Sequence, residues 1–466
     1  MDFLKDVSRV HLIGAGGIGV SAVAKLLAHL DKKVTGSDVA ANESTKELTD
    51  AGIHVAIGHA AHNLPAKTDL VVYSGAVPAD NPELKAAEKR GIRRLTYFEF
   101  LGEFSRSKRT VAVSGTNGKS TTTSLLGLIL ERAGLDPTVI VGSKVKTFPD
   151  KNLRLGQSDL FVVEGCEHQA NMLKLHPQMI VLTNIEADHL DFYKDLDDIR
   201  ETFQQYVDRL PPDGKLVVNA DDPVSASLKA PPLTVTYSLE KPADYTVGPV
   251  TIAAGRQRFR VARGGAEPAD LGEVSLAVPG RFNVANALAA AAAATELGVK
   301  PEVIRAALAD FQGIWRRFEM VAGRNGAPIY SDYGHHPSAI RGTLAAAHEF
   351  HPKKRIILAF QPHQHNRTSK LFDEFVASMD GADAVVLSEI FDVAGREEAA
   401  DQAVSSRDLV EALKKRDAGR GVTRPLIYAE SLPRTVDELK KMIGPDDVVV
   451  MMGAGDIYKI ADDLRS

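Results

Sequence analysis

The sequence has almost no cysteine and no long hydrophobic run, and each shortage excludes a class of protein. Cys166 is the single cysteine in 466 residues, which excludes an intramolecular disulfide and a structural zinc site built on cysteine ligands. No apolar run approaches the ~18 residues that a membrane-spanning helix needs. The N-terminus runs straight into a strand-like segment, without the apolar core and cleavage site of a signal peptide. We therefore expect a soluble, cytoplasmic protein with no membrane partner.

Basic residues are not in excess either. Lys and Arg total 56 and Asp and Glu total 61, which gives a net charge of −5. This balance argues against a protein that holds nucleic acid through bulk charge. Hydrophobic residues make up 44% and charged residues 25% of the chain, values typical of a globular protein. At roughly 100–200 residues per domain, the length predicts two to four domains.

Short β-branched strands alternate with helical segments along the chain, a pattern typical of βαβ units and parallel sheets. We predict an α/β fold with three domains: a Rossmann-like domain over 1–107, a central P-loop-type domain with a mainly parallel sheet over 108–313, and a second Rossmann-like domain over 314–466. Three local features complete the prediction: a linker over 101–109, a small antiparallel insertion over 234–280 with a turn at Gly264-Gly265, and an alanine-rich helix over 287–294.

A glycine-rich loop follows the first predicted strand and opens a helix. Its residues Gly14-Ala15-Gly16-Gly17-Ile18-Gly19 match G-x-G-x-x-G, a loop whose backbone approaches a diphosphate closely. Asp38 follows at the distance where an acidic residue can bind a ribose hydroxyl. The motif leaves two ligands open, a nicotinamide dinucleotide or a UDP-linked sugar, because both carry the same diphosphate.

A second phosphate loop, Gly115-Thr116-Asn117-Gly118-Lys119-Ser120-Thr121, lies between a predicted strand and helix. Lys119 supplies a positive charge for β- and γ-phosphates, and a hydroxyl of Ser120 or Thr121 can reach Mg²⁺. The match to G-x-x-x-x-G-K-[ST] is incomplete, since Val113 stands where the first glycine is expected. A dehydrogenase has no need for this second loop, so two phosphate loops weaken the oxidoreductase interpretation.

Several side chains that can bind metal or phosphate follow later strands. Glu164 ends one strand, and the segment 184–191 gathers Glu186, Asp188, His189 and Asp191 beyond another. Carboxylate and imidazole ligands beside a phosphate loop suit Mg²⁺ or Mn²⁺, although Asp188 and Asp191 equally suit capping roles. We interpret Cys166 as a packing residue rather than a nucleophile.

The third unit carries its own candidates at strand ends, where open α/β sheets place ligands. One segment is Asp332-Tyr333-Gly334-His335-His336, and another runs over 361–368 and includes His363 and Arg367. Arg316-Arg317, at the junction with the central unit, offers cations for phosphate charge from a neighbouring domain.

Taken in order, the segments GAGGIG, SGTNGKST, NIEADHLDFY, FNVANALAA, WRRFE, DYGHHP, FQPH and GAGD resemble the Mur ligases of peptidoglycan synthesis. The resemblance implies three domains that hold a UDP-sugar, ATP and an incoming amino acid. It implies an ATP- and Mg²⁺- (or Mn²⁺-) dependent ligase that joins an L-amino acid, here L-alanine, to the lactyl carboxylate of UDP-N-acetylmuramate through an acyl phosphate. We expect a monomer or homodimer with no nucleic-acid partner.

The resemblance also implies a role for individual residues. Lys119 contacts the γ-phosphate, Arg317 neutralises phosphate charge, and His189, His336 and Arg367 lie near the reacting groups. The implied metal ligands are Ser120, Thr121, Glu164 and His189. The implied ATP residues are Gly115 to Thr121, Asn283, Asn286, Arg317 and Asp332. The implied UDP-sugar residues are Gly14, Ala15, Gly16, Gly17, Ile18, Gly19, Ser37, Asp38, His59, Asn63 and Ser74.

Three departures from the family pattern leave alternatives open. Asn117-Gly118-Lys119-Ser120 replaces the usual HGKT, the segment 165–169 replaces ADESD, and the segment 364–368 replaces RYTRT with the loss of one arginine. The alternatives are a ligase that attaches a preformed peptide in cell-wall recycling and a non-catalytic homologue that binds UDP-sugar and ATP.

Overall fold

The computed structural model describes residues 2–190, 192–264, 269–392 and 404–465, which form three α/β units, each built on its own sheet. Asp191 and Gly265, which the sequence analysis singled out, lie outside the described residues. Within the described ranges, no helix is both long enough and apolar enough to cross a membrane. Short 3-10 helices occur at Asp2–Leu4, Ala61–Asn63, His168–Lys174 and Asp456–Ile460.

The first unit is a five-stranded sheet in which every strand pair is parallel. Its strands are β1 (Arg9–Ile13), β2 (Lys33–Asp38), β3 (His54–Ile57), β4 (Leu70–Tyr73) and β5 (Arg93–Thr96), and its helices are α1 (Ile18–His29), α2 (Glu43–Asp50), α3 (Pro82–Lys89) and α4 (Tyr97–Ser105). The order β3-β2-β1-β4-β5 reverses direction at β1. The glycine-rich loop after β1 therefore lies at the switch point where such sheets bind ligands.

The predicted linker over 101–109 is wrong, because most of it belongs to α4 and the next strand. Thr96 and Glu99 form a capping box that starts the helix, and Leu101 and Phe104 are buried. The Phe104 ring meets Phe161 of the second unit edge to face at 5.0 Å. A basic C-terminal end had suggested a linker, but the apolar face of this segment packs between two units.

The second unit is built on an eleven-stranded, mainly parallel sheet. Its strands are β6 (Arg109–Ser114), β7 (Thr138–Ile140), β8 (Leu153–Arg154), β9 (Leu160–Gly165), β10 (Met179–Leu182), β11 (Lys215–Asn219), β12 (Thr234–Ser238), β13 (Tyr245–Val247), β14 (Thr251–Ala253), β15 (Arg256–Arg263) and β16 (Ala269–Leu276). Its helices are α5 (Lys119–Arg132), α6 (Leu196–Val207), α7 (Pro223–Ala226), α8 (Arg281–Glu296) and α9 (Pro301–Asp310). The predicted antiparallel insertion needs correction: β12 and β13 extend the main sheet in parallel, and β14, β15 and β16 join it antiparallel.

The predicted alanine-rich helix is confirmed, and its residues form the centre of α8. Every residue from Ala287 to Ala294 is fully buried. Small side chains let two helices approach closely, and α8 packs against α5, the helix that follows the second phosphate loop. The alanines therefore help to position that loop.

The third unit is a six-stranded sheet in the order β17-β18-β22-β19-β20-β21. Its strands are β17 (Glu319–Arg324), β18 (Ala327–Asp332), β19 (Arg355–Phe360), β20 (Ala384–Ser388), β21 (Leu426–Ala429) and β22 (Asp447–Met452). Its helices are α10 (Pro337–Phe350), α11 (His365–Lys370), α12 (Phe372–Ser378), α13 (Ser406–Arg420), α14 (Leu432–Met442) and α15 (Ala461–Leu464). Among the strand pairs described in this sheet, only β17-β18 is antiparallel. The carboxyl ends of β18, β19 and β22 therefore lie at one edge of the sheet.

A buried polar bridge joins the first two units beside the first glycine-rich loop. The Asn152 side-chain amide donates to the Ile18 carbonyl at 2.6 Å and to Ser21 at 2.9 Å, near the start of α1. Lys25 donates in return to the Asn152 side-chain oxygen at 3.0 Å and to Glu47 at 3.0 Å. These bonds fix the loop-bearing helix against the central unit.

Candidate active site between the central and C-terminal units

The second phosphate loop turns sharply between β6 and α5. Gly118 has a φ of 88°, a left-handed conformation that favours glycine. A Cβ atom there would also collide with the side-chain oxygen of Asn286 on α8. Glycine is therefore required at this position by both backbone conformation and packing, and Asn286 closes one side of the loop.

The Lys119 ammonium is held by a carboxylate that the sequence analysis did not select. It donates to both oxygens of Glu167 at 2.8 and 3.0 Å, and to the Thr116 carbonyl at 3.0 Å. Burial alone would lower the pKa of Lys119, but Glu167, Cys166 and Glu164 together outweigh it and raise that pKa. Burial likewise favours a neutral Glu167, yet Lys119 and His189 lower the pKa of its carboxyl. The result is a charged pair at the mouth of the loop.

Glu164 lies beside the loop hydroxyl. Its carboxylate accepts a hydrogen bond from Ser120 Oγ at 3.1 Å and another from the backbone N–H of Gly142. Burial raises the pKa of Glu164 against the opposing effects of the Gly142 N–H, Lys119 and Ser120, so a cation bound beside it would favour the ionised form. Across the described ranges, no group of three or more His, Cys, Asp or Glu side chains converges as a ready metal site.

This donor set fits Mg²⁺ in one particular way. Mg²⁺ bound with nucleotides takes one or two carboxylates and fills its remaining positions with water and phosphate oxygens. Ser120 and Glu164 supply a hydroxyl and a buried carboxylate at the phosphate loop. Thr121, the other predicted hydroxyl, lines the neighbouring cavity instead. His189 lies near Glu167, with 3.6 Å between Nε2 and Oε1.

Two cavities meet at the loop. The first, of about 330 Å³, is lined by Thr116 to Ser120, Gly142, Glu164, Cys166, Glu167, His168, Asp188, His189, Arg317, Tyr333 to His336, His363, Gln364, Arg367 and Ala454. The second, of about 380 Å³, is lined by Asn117, Gly118, Thr121, Thr183, Asn184, Glu186, Asn219, Asp221, Tyr237, Leu239, Glu240, Arg281, Phe282, Ala285, Asn286, Arg317, Asp332, Gly334, Ser338, Ala339, Gly342 and Thr343. Arg317, Asn117, Gly118 and Gly334 line both cavities.

The two adjacent arginines at the start of the third unit have different surroundings. The Arg316 guanidinium lies 4.3 Å from the Tyr458 ring centroid and 5.0 Å from that of Tyr333, and it is 5% exposed. It lines neither cavity, so our prediction that both arginines serve phosphate needs correction. Arg317 faces both cavities and contacts the Tyr333 ring at 5.0 Å.

Asp332 ends β18 beside the second cavity. Its carboxylate accepts backbone hydrogen bonds from Phe318 at 2.7 Å and Gly334 at 2.6 Å. Burial raises its pKa, although Arg317 acts in the opposite direction. The side chain both lines the cavity and fixes the turn that presents Gly334 and the following histidines.

The seam between the central and C-terminal units is closed by polar contacts. His336 caps α10 by accepting at Nδ1 from the backbone N–H of Ser338, and bonds through Nε2 to the Ala187 carbonyl at 3.2 Å. The Ser338 hydroxyl in turn contacts Glu186 at 2.5 Å. These contacts hold the third unit over the phosphate loop.

In the first unit, the predicted UDP-sugar residues converge on a carboxylate that the sequence analysis also missed. Glu83 is fully buried. Its carboxylate contacts His11 at 2.8 Å, Ser37 at 2.7 Å, His59 at 3.3 Å, the Ala60 N–H at 3.1 Å and Asn63 at 3.0 Å. Burial opposes ionisation, but hydrogen bonds led by His11 lower the pKa of Glu83 to about 2. Ser37, His59 and Asn63 are therefore oriented by one anion.

Asp38 and the first glycine-rich loop are bonded to each other. The Asp38 carboxylate is 8% exposed and accepts a hydrogen bond from the Gly16 N–H at 2.7 Å. Gly14 has a φ of 76° and abuts Ser74, which places that serine beside the loop. Among the described residues, neither cavity is lined by any residue predicted for the UDP-sugar.

Three family descriptions match successive parts of the chain: "Mur ligase family, catalytic domain" over 9–109, "Mur ligase middle domain" over 113–294 and "Mur ligase, glutamate ligase domain" over 316–455. The chain belongs to the Mur ligase family. Members of this ATP-dependent family share the three-domain α/β fold, so the predicted family and fold are confirmed. The domain boundaries at 107 and 313 stay a prediction.

This Mur ligase is similar over nearly its full length to proteins named UDP-N-acetylmuramate–L-alanine ligase. It is 40% identical to the protein from Solibacter usitatus over 98% of this chain and 95% of the relative. It is 36% identical to the protein from Aquifex aeolicus over 98% and 97%. The crystal structure of UDP-N-acetylmuramate–alanine ligase from Thermotoga maritima superposes with a TM-score of 0.80 at 28% identity and covers 98% of both chains.

Several predicted residues of the Mur ligase come together and others do not. Lys119, Ser120, Glu164, His189, Arg317, His336 and Arg367 all line the first cavity. Asn286 lines the second cavity, whereas Asn283 lies behind it and accepts from the Asn286 amide at 3.2 Å. The sequence analysis missed Glu167 because the segment 165–169 departs from the family pattern. The available signal was a second carboxylate, three residues after Glu164 and just past the end of the same strand.

Proposed function

We propose that the chain joins L-alanine to the lactyl carboxylate of UDP-N-acetylmuramate, with ATP converted to ADP and phosphate through an acyl phosphate. The observation that carries this proposal is the meeting of the two cavities at Arg317 and Gly118. A nucleotide in the second cavity would extend its terminal phosphate along the loop into the first. Similarity to full-length relatives named for this reaction supports the same substrates.

ATP is needed because the lactyl carboxylate must be activated before an amine can attack it. A carboxylate is a poor acyl donor because oxide is a poor leaving group, and phosphorylation supplies a stable one. Phosphoryl transfer then depends on position and charge neutralisation. Lys119 and Arg317 supply positive charge on two sides of the transferring group, and the loop N–H groups hold the phosphates. Asn286 and Asp332 belong to the proposed ATP site.

Mg²⁺ belongs to the proposal as well. Ser120 and Glu164 would hold it, with His189 as the predicted imidazole ligand and Thr121 as an alternative hydroxyl. When bound, Mg²⁺ neutralises phosphate charge. Lys119 then exchanges its bond with Glu167 for phosphate oxygens, so that Glu167 is released toward His189.

The UDP-sugar is proposed to bind along the carboxyl edge of the first sheet. The candidate residues are those that the resemblance implies: Gly14 to Gly19, Ser37, Asp38, His59, Asn63 and Ser74. Ser37, His59 and Asn63 are held in place by Glu83, and the Asn152 bridge fixes the loop-bearing helix toward the central unit. Because both proposed substrates carry nucleotides, a cytoplasmic location belongs to the same proposal.

The proposal is tested by incubating the protein with ATP, Mg²⁺, UDP-N-acetylmuramate and one amine at a time. The arms are L-alanine, D-alanine, other L-amino acids and the tripeptide L-alanyl-γ-D-glutamyl-meso-diaminopimelate. Mass spectrometry of the conjugate and assay of ADP are expected to show turnover with L-alanine. Turnover with the tripeptide alone would establish the recycling reaction instead, and no turnover with any amine would reject ligation.

A further inference from the structure

Tyr97 lies where the first two units meet. It directly follows β5 and opens α4, the helix that leads into β6 of the central unit. Because β1, β4 and β5 are parallel neighbours, their carboxyl ends lie at one edge of the first sheet. Tyr97 therefore stands at the same edge as the glycine-rich loop that follows β1, on the side where the chain enters the central unit.

The Tyr97 ring packs against the last glycine of that loop. A Cβ atom on Gly19 would lie only 2.6 Å from Cζ, the ring carbon that carries the Tyr97 hydroxyl. Phe98 meets the same ring edge to face, with 4.7 Å between the ring centroids. The hydroxyl end of the ring, rather than its base, thus borders the proposed UDP-sugar loop, and only glycine at position 19 allows this approach.

The same hydroxyl is close enough to the first cavity to be affected by its charges. Burial raises the pKa of Tyr97 above its usual range, and the Glu164 carboxylate and Cys166 act in the same direction. Glu164 and Cys166 both line the first cavity. Tyr97 is therefore a neutral hydrogen-bond donor at physiological pH, placed between the first loop and the wall of the cavity.

The hydroxyl of Tyr97 has no hydrogen-bond partner among the residues that the structure describes. Two tyrosines of the central unit are different, since Tyr237 donates to the Leu182 carbonyl at 3.2 Å and Tyr245 donates to Glu296 at 2.9 Å. Buried polar groups in folded proteins are nearly always paired. A half-buried hydroxyl that the protein leaves unpaired is available to a bound ligand.

The proposed substrate brings an acceptor to this place. With its diphosphate on the first loop and the transferring phosphate at Lys119, the acid arm of the sugar passes between Gly19 and Glu164. A carboxylate accepts hydrogen bonds and donates none. We propose that the Tyr97 hydroxyl donates a hydrogen bond to the lactyl carboxylate of bound UDP-N-acetylmuramate. This inference rests on the proposed ligase function and adds a residue that selects the acid over UDP-sugars without one.

Electrostatics gives this hydrogen bond a purpose. The lactyl carboxylate arrives beside the Glu164 carboxylate, and a nearby like charge disfavours ionisation. A hydrogen bond to an ionised group is roughly twice as strong as one between neutral groups. Tyr97 therefore favours the ionised acid, which is the form that attacks the terminal phosphate of ATP, and it adds no negative charge of its own.

Two UDP-sugars test the contact. UDP-N-acetylglucosamine has the same carrier and sugar ring as UDP-N-acetylmuramate but a hydroxyl in place of the lactyl group. Calorimetry of the full chain with Mg²⁺ and β,γ-imido-ATP compares their affinities. We expect Tyr97→Phe to weaken binding of UDP-N-acetylmuramate by about 10-fold or more and to leave binding of UDP-N-acetylglucosamine nearly unchanged. In turnover assays, KM for UDP-N-acetylmuramate should rise and KM for L-alanine should not.

Tyr245→Phe is the matched control. Tyr245 opens β13, at the edge of the central sheet opposite the phosphate loop. Its hydroxyl has a partner in Glu296, so this variant should unfold at a lower temperature but keep the wild-type preference between the two sugars. Tyr97→Phe should show the reverse, with the wild-type unfolding temperature and an altered preference.

An unchanged affinity of Tyr97→Phe for UDP-N-acetylmuramate, or equal losses for the two sugars, would overturn the role of Tyr97 and leave the ligase proposal standing. Failure of the wild-type protein to bind either UDP-sugar would refute the proposed function itself, and the role of Tyr97 with it.

Discussion

The guanidinium of Arg367 donates two hydrogen bonds to one oxygen of Asp188, at 2.9 and 3.1 Å. Arg367 lies on α11 of the C-terminal unit and Asp188 follows β10 of the central unit, so the pair crosses the seam above the phosphate loop. Both side chains are nearly buried, at 9% and 10% exposure. Although burial disfavours ionised Asp188, Arg367 and His189 hold the pKa of its carboxyl well below the usual value.

Breaking this pair is expected to loosen the seam. Arg367→Gln leaves a buried carboxylate without its main partner, a change that costs about 3–5 kcal/mol. Thermal or urea unfolding of the C-terminal unit measures the loss, and the double variant with Asp188→Asn should lose less than the two single variants combined. Lys414→Gln is the control, since its ammonium pairs with Glu411 on the exposed face of α13, within the C-terminal unit. Strict additivity in the double variant would contradict coupling across the seam.

Lys119→Ala is expected to lower kcat by about 1,000-fold, because it removes a charge aimed at the transferring phosphate. Affinity for the UDP-sugar should stay nearly unchanged, since the proposed sugar residues lie on a different sheet. Isothermal calorimetry with each ligand separates the two effects. Lys146→Ala, which alters an exposed lysine paired with Glu319, provides the comparison. An equal loss of affinity for both ligands would refute this division of labour.

The Glu83 cluster predicts a specific pH dependence of stability. The pKa of Glu83 falls from 4.5 to about 2 in the folded protein, so its ionised form stabilises the fold above pH 4.5. That stabilisation disappears as the pH falls from 4.5 toward 2 and is about 3 kcal/mol at neutral pH. Glu83→Gln should therefore destabilise the first unit at pH 7 but make little difference near pH 2, measured by urea unfolding. Glu88→Gln, which changes an exposed carboxylate on the same helix, should show no such trend.

Cys166 is expected to be unreactive in the folded protein although it lines the first cavity. Burial, reinforced by the charge of Glu167, raises the pKa of the thiol to about 12. The thiolate is the reactive form, so iodoacetamide at pH 8 should alkylate the native protein far more slowly than the urea-unfolded chain. Cys166→Ala should retain ligase activity within a few-fold. Rapid native alkylation, followed by mass spectrometry, would show that the thiol is activated.

Local patterns predicted most of the elements that position the site. The strand Arg355–Phe360 coincides with a short apolar run in the sequence, a pattern typical of buried parallel strands. The phosphate loop from Gly115 to Ser120 likewise lies between a strand and a helix, as its glycine-rich motif predicts. The segment 101–109 was mispredicted, since its basic end masked an apolar face that packs only when two units are present.

The sequence by itself determined the family, the three α/β units and the two phosphate loops, because glycine conformation, strand periodicity and motif spacing are local properties of the chain. Tertiary structure alone decided the partners: Glu167 on Lys119, Glu83 beneath Ser37, and Asp188 on Arg367. These choices depend on which side chains meet across distant segments and on burial, which shifts their pKa values. No local pattern contains that information.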